Sequence, residues 1–139
     1  MRLWHQKLIP HLPDQQLLGQ HRECCALRGN GWGKKHSTVD YVFEHRPEYL
    51  IAYHYHIIDE MRDRGMNPDA AWEHRYYRGK NCDMYEAGDM SHQLTMQKYE
   101  EMLVYPEHDH EYLIECVMNL MKKGAEPINV EKIDERFDS

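Results

Sequence analysis

No apolar run in this 139-residue chain approaches the roughly 18 residues that a membrane-spanning helix needs. Polar residues are interspersed throughout the first residues, which have no apolar core of a secretory signal. A cytoplasmic protein without a membrane partner is therefore expected. Only four cysteines are present; Cys24 and Cys25 are adjacent, and Cys82 and Cys116 stand alone. Neither a disulfide framework nor a C-x-x-C redox pair can be drawn from them. The glycines form no G-x-x-x-x-G-K-[ST] phosphate loop. No alternating apolar and polar run is long enough to demand a sheet. What remains is an all-α chain, expected to form a single compact helical domain over residues 1–139. At this length it buries roughly 70% of the surface of the unfolded chain, so folding requires no metal or disulfide.

The formal charge is −7, and it is unevenly spread. Residues 1–80 carry 12 Lys and Arg against 10 Asp and Glu, whereas residues 81–139 carry 5 against 14. Fields act over about 10 Å at physiological salt, so the basic front half can hold phosphate while the acidic half faces elsewhere. A solvated surface is the simpler account of the acidic half, against a dedicated partner site.

Helical spacing predicts helices near 13–27, 47–64, 91–103, 108–123 and 130–136. In the first, Pro13 and Asp14 suit the starting turn. Leu17, Leu18, His21, Cys24 and Cys25 share one face, and Glu23 falls nearly opposite, one turn after Gly19. Residues 44–51, Glu-His-Arg-Pro-Glu-Tyr-Leu-Ile, are echoed at 107–114 as Glu-His-Asp-His-Glu-Tyr-Leu-Ile. Each echo leads into a helical pattern that stops at a glycine, Gly65 or Gly124. A duplicated helix start and coincident capping chemistry both account for this.

Several groups have the composition of a site. The loop 28–36 places Arg28, Lys34, Lys35 and His36 around three glycines and Trp32, which suits phosphate contact beside one stacking or wedging ring. A flexible basic surface loop accounts for it equally well. The 11 histidines invite a metal reading. His54 and His56 would leave a helix on different faces, and the acids around His108 and His110 suit a helix start. His21 with Cys24 and Cys25 has zinc-ligand spacing, but a core histidine packed against two thiols is the commoner outcome. The tyrosine-rich stretch 49–55 is more often core than a base-stacking platform.

The start of the chain resembles that of the pyrimidine-dimer DNA glycosylases, the endonuclease V type known from bacteriophage. Asp14, Gln15, Leu17, Arg22 and Glu23 stand at that family's spacing from the initial Met. Residues 72–80, Trp-Glu-His-Arg-Tyr-Tyr-Arg-Gly-Lys, resemble a segment lying near the C-terminus of the phage enzymes. The resemblance implies that the chain's own α-amine is the nucleophile, Glu23 its acid/base partner and Arg22 a phosphate contact. In the family that amine follows a removed Met. Here the bulky Arg2 is expected to keep Met1 in place, so the amine is that of Met1. An α-amine has a reference pKa near 7.7–8.0 against about 10.4 for lysine, and is roughly 300 times more often neutral at pH 7.

The reading is a repair enzyme that removes damaged pyrimidines from duplex DNA and cuts the strand through an amine–sugar imine. Met1 and Glu23 are its catalytic pair. Arg2, Arg22, Arg28, Trp32, Lys34, Lys35, Trp72, Tyr76 and Tyr77 are its expected DNA contacts, with neither metal nor organic cofactor. Two rivals stand beside it: a binding module of the same fold without catalysis, and a zinc-dependent hydrolase built on the histidines.

Overall fold

Proline and glycine set the frame of the second helix, and that helix organises the rest. In the computed structural model, which describes residues 3–32, 40–124 and 133, the four α-helices are α1 (Asp14–Arg28), α2 (Pro47–Asp63), α3 (His92–Glu100) and α4 (His110–Lys122). Pro47 occupies the first turn of α2, and Gly65 ends it with φ +83°, a left-handed conformation that costs glycine little. Between Leu50 and Ile58 no residue of α2 is exposed. A helix covered on every side over its central turns belongs in the middle of a fold. Accordingly α2 packs against α1, α3 and the short 3-10 turns at Gln6–His11 and Asp40–Glu44. The α4 helix closes over the first of those turns through Leu113, Cys116, Val117 and Leu120.

The two echoed segments adopt one geometry. Both α2 and α4 begin at the fourth residue of the echo and stop two residues before a left-handed glycine, Gly65 or Gly124 (φ +93°). His45 stacks on Tyr49 at 4.6 Å, and the equivalent His108 stacks on Tyr112 at 5.3 Å. His45 Nε2 lies 2.9 Å from Glu107 and ties one echo to the other. They diverge at the glutamate: Glu111 is exposed, whereas Glu48 is buried, paired with Arg46, and accepts the Ser91 N–H at the start of α3.

Two expected helix bounds change. The helix expected over 91–103 ends at Glu100, because Gln6 captures the following backbone: its Nε2 donates to the Met102 carbonyl and its Oε1 accepts the Val104 N–H. The helix expected over 130–136 lies outside the described residues except for Ile133, which is helical and buried in the main core cluster.

Candidate active site

The chain begins its described course inside the protein. Leu3, Trp4, His5, Gln6, Lys7, Leu8 and Ile9 are all buried. Apolar side chains at 3, 4, 8 and 9 give the segment its anchorage, and its backbone is held by side chains from three helices. From α1, Gln20 Oε1 accepts the Trp4 N–H at 2.5 Å. From α2, the Tyr53 hydroxyl donates to the Trp4 carbonyl, also at 2.5 Å, and lies 3.1 Å from Gln20 Oε1. From α4, the Tyr112 hydroxyl donates to the Leu3 carbonyl at 2.6 Å. The Gln6 N–H completes the set by donating to Nδ1 of the buried His108.

These bonds fix what lies on α1. Its buried stripe is Leu17, Gln20, Cys24, Leu27 and Arg28. The apolar face expected from the sequence, centred on His21, is therefore rotated towards Gln20. Glu23 consequently lies on the flank of the helix and not opposite the core; it is half-buried, with one carboxylate oxygen shielded from solvent. Gln20 and Glu23 are neighbours at i, i+3 spacing, about 5–6 Å apart at their β-carbons. Arg22 beside them is exposed. A methyl group built on Gly19, also on this side, would meet nothing among the described residues nearer than Arg22 Nη2 at 3.9 Å. Met1, Arg2, Lys34 and Lys35 lie outside the described residues.

Arg28, expected among the phosphate contacts, is instead fully buried. Its guanidinium donates to the carbonyls of Trp72, His74 and Tyr77 at 2.8–3.0 Å and to His54 Nδ1 at 3.0 Å. Three carbonyls and an imidazole nitrogen take both of its terminal nitrogens, and full burial keeps a phosphate out of its reach. Trp32, expected as a free stacking or wedging ring, is half-buried on the core with its ring 5.1 Å from Phe43. Trp72 packs edge-on to Tyr77 at 4.7 Å and lies beneath Arg28, while Tyr76 lies beneath Arg75. All three rings are half-buried, on the segment that Arg28 holds. The fold thus places the rings around the C-terminal end of α1, and Glu23 further back along the same helix.

The histidines divide among separate tasks. His54 and His56 do leave α2 on different sides: His56 Nε2 donates to the Tyr99 carbonyl at 3.0 Å, and His54 faces α1. His21, Cys25 and His54 come together, with donor atoms all within 4.8 Å of one another, while Cys24 turns into the core. Arginine only donates, so Arg28 makes His54 Nδ1 an acceptor and puts the His54 proton on Nε2. That N–H donates to His21 Nδ1 at 2.8 Å. The nitrogen that would face a metal is thus a donor here, and the group reads as a directed chain from Arg28 through His54 to His21. Burial, then the nearby Arg28, hold both imidazoles below their ordinary pKa; burial pushes the Cys25 thiol up to about 12. At neutral pH the whole cluster except Arg28 is uncharged.

Gln20, Tyr53 and Tyr112 were not singled out from sequence. One signal pointed to the first of them: Leu17, Cys24 and Leu27 at helical spacing enclose position 20, and a polar residue in an apolar stripe normally holds a specific bond. Its partner, sixteen residues upstream, is set by tertiary packing.

Residues 1–74 match the family model of the pyrimidine dimer DNA glycosylases, and the chain belongs to that family. The match takes in α1, α2 and Trp72 and stops short of Tyr76 and Tyr77. Searches of the curated proteins and of the solved structures returned no match.

Proposed function

We propose that this protein excises pyrimidine dimers from duplex DNA and cleaves the strand by a lyase step, with the Met1 α-amine as nucleophile and Glu23 as acid/base. The observation that carries the proposal is the tie between Trp4 and Gln20, one turn before Glu23 on the same helix. Met1 is three residue steps before Trp4. At about 3.3–3.6 Å each they reach at most some 11 Å, enough to bring an amine beside a carboxylate one helical turn away.

The chemistry follows from that pairing. The neutral amine attacks C1′ of the damaged nucleotide, the C1′–N bond breaks, and its electron pair leaves with the base. Loss of water-exchangeable protons from nitrogen and opening of the sugar give an imine. The imine acidifies the C2′ hydrogen; Glu23 removes it, and the 3′ phosphate leaves with the C3′–O electron pair. While charge builds on the sugar, the carboxylate opposes it electrostatically. Hydrolysis of the imine returns the amine. In this reading the exposed Arg22 meets a phosphate next to the reacting sugar, and Lys34 and Lys35 extend that contact.

Borohydride reduction tests the reading. With abasic-site duplex it should leave one covalent adduct, which peptide mapping places on the Met1 α-amine. An adduct undiminished by prior blocking of the α-amine would move the reaction to a lysine. Duplex binding with no adduct would make the protein a binding module.

A further inference from the structure

We propose that Gln20 is a positioning residue for the reaction: through the Trp4 N–H, and with Tyr53 and Tyr112 on the neighbouring carbonyls, it fixes the Leu3–Trp4 backbone to which the amine is tethered. The inference rests on the Met1–Glu23 reading and adds to it the means of alignment.

The argument is one of bonds and freedom. A terminal amine is the most mobile nucleophile a chain has, and chain ends are ordered only where something ties them down. Alignment within a fraction of an ångström is worth orders of magnitude in rate. Here the tie is made by both polar groups of one peptide neighbourhood: Gln20 takes the Trp4 N–H, Tyr53 the Trp4 carbonyl and Tyr112 the Leu3 carbonyl. They approach from α1, α2 and α4, so residues 3 and 4 cannot rotate without breaking bonds to three helices. Gln20 and Tyr53 are themselves buried, at 2% and 0% exposure, which fixes their rotamers by packing. Gln20 also stands on the same helix as Glu23. The bond that orients the amine and the carboxylate that works with it therefore move as one rigid unit.

The test reads the α-amine directly. In the full chain with 13C-dimethylated amines, NMR titration should show the α-amine of wild type above the about 7.7–8.0 of a free terminus, because a carboxylate beside it favours the charged form. Glu23→Gln should return it to that range. Gln20→Met, which keeps the size and removes the accepting oxygen, should return it as well. It should also slow borohydride trapping at saturating abasic duplex on the order of 10–100-fold, with duplex affinity unchanged. Gln20→Glu, which keeps an accepting oxygen, should restore most of that rate. Tyr112→Phe, at a half-buried site, supplies the same comparison if Gln20→Met does not fold. Wild-type titration and trapping in both variants would overturn the clamp. An α-amine that ignores Glu23→Gln would overturn the Met1–Glu23 pairing itself, a different result from one that responds to Glu23→Gln and ignores Gln20→Met.

Discussion

Arg28 and Arg78 hold each other's segments: the Arg28 guanidinium donates to carbonyls at 72, 74 and 77, and the Arg78 guanidinium donates back to the Arg28 carbonyl at 2.9 Å. Arg78 also reaches the Gly29 carbonyl, so it caps the C-terminal end of α1, where a cation is favoured. The exchange pins the segment carrying Trp72, Tyr76 and Tyr77 to α1. Arg28→Met strands buried carbonyls, each costing about 1–3 kcal/mol. With partial rescue by water, a net loss of about 3–4 kcal/mol in urea unfolding is expected. A loss below about 1 kcal/mol would show that Arg28 is no structural tie.

Because Arg28 is spent on the protein, the expected phosphate contacts reduce to Arg22, Lys34 and Lys35. Neutralising those three should flatten the slope of log affinity against log salt by up to about 2.7, at roughly 0.9 per contact. Neutralising Lys122, Lys123 and Lys132, in the acidic half, should leave it unchanged. The reverse pattern would put the DNA surface on the other side of the molecule.

Acid should weaken the fold through its buried histidines. His54 and His21 are held below their ordinary pKa by burial first and by Arg28 next; burial also lowers His56 and His108. A depressed histidine binds its proton more readily unfolded than folded. Its neutral form therefore contributes stability that is complete above the unfolded value of about 6.5 and is lost as the pH falls below it, towards the folded value. The slope approaches about 1.4 kcal/mol per pH unit for each such histidine. Urea midpoints at about pH 7.5 and about pH 5 should drop accordingly, and His54→Gln should make the drop shallower. A fold more stable at the lower pH would contradict the buried neutral chain.

The sequence patterns that proved legible are those written in local terms. The starts of α1, α2 and α4 follow from Asp14, Pro47 and the echoed segment, and the stops of α2 and α4 from Gly65 and Gly124. The end of α3 did not, because Gln6, nearly a hundred residues away, takes its following backbone bonds. Arg28 misled for a related reason. Beside three glycines and two lysines it has the composition of a phosphate loop, and only the fold brings the carbonyls of 72, 74 and 77 to it. Glu23 stood out by its spacing; Gln20, one turn earlier, gained meaning only with Trp4 in contact.

Gly19 sits inside α1 with open space around it, so its absence of a side chain is not required by packing among the described residues. Gly19→Ala should raise stability by about 0.5–1 kcal/mol, the usual helix-interior difference. A loss of stability would reveal a close neighbour at this point of the helix.

Glu23→Gln separates binding from chemistry. The amide keeps the size and hydrogen-bonding capacity of the carboxylate and removes its charge and basicity, which the proposed mechanism uses to stabilise a cationic sugar and to take the C2′ proton. Glu23 sits on the flank of α1, half-buried and outside the core stripe, so the change should leave the melting temperature near that of wild type. Affinity for lesion-bearing duplex should be kept, while strand cleavage falls by a factor on the order of 100 or more. The imine should still form, though more slowly, so trapped adduct should outlast cleavage when the two are followed in one reaction. Wild-type cleavage in this variant would make Glu23 an ordinary flank residue and remove the acid/base from the mechanism.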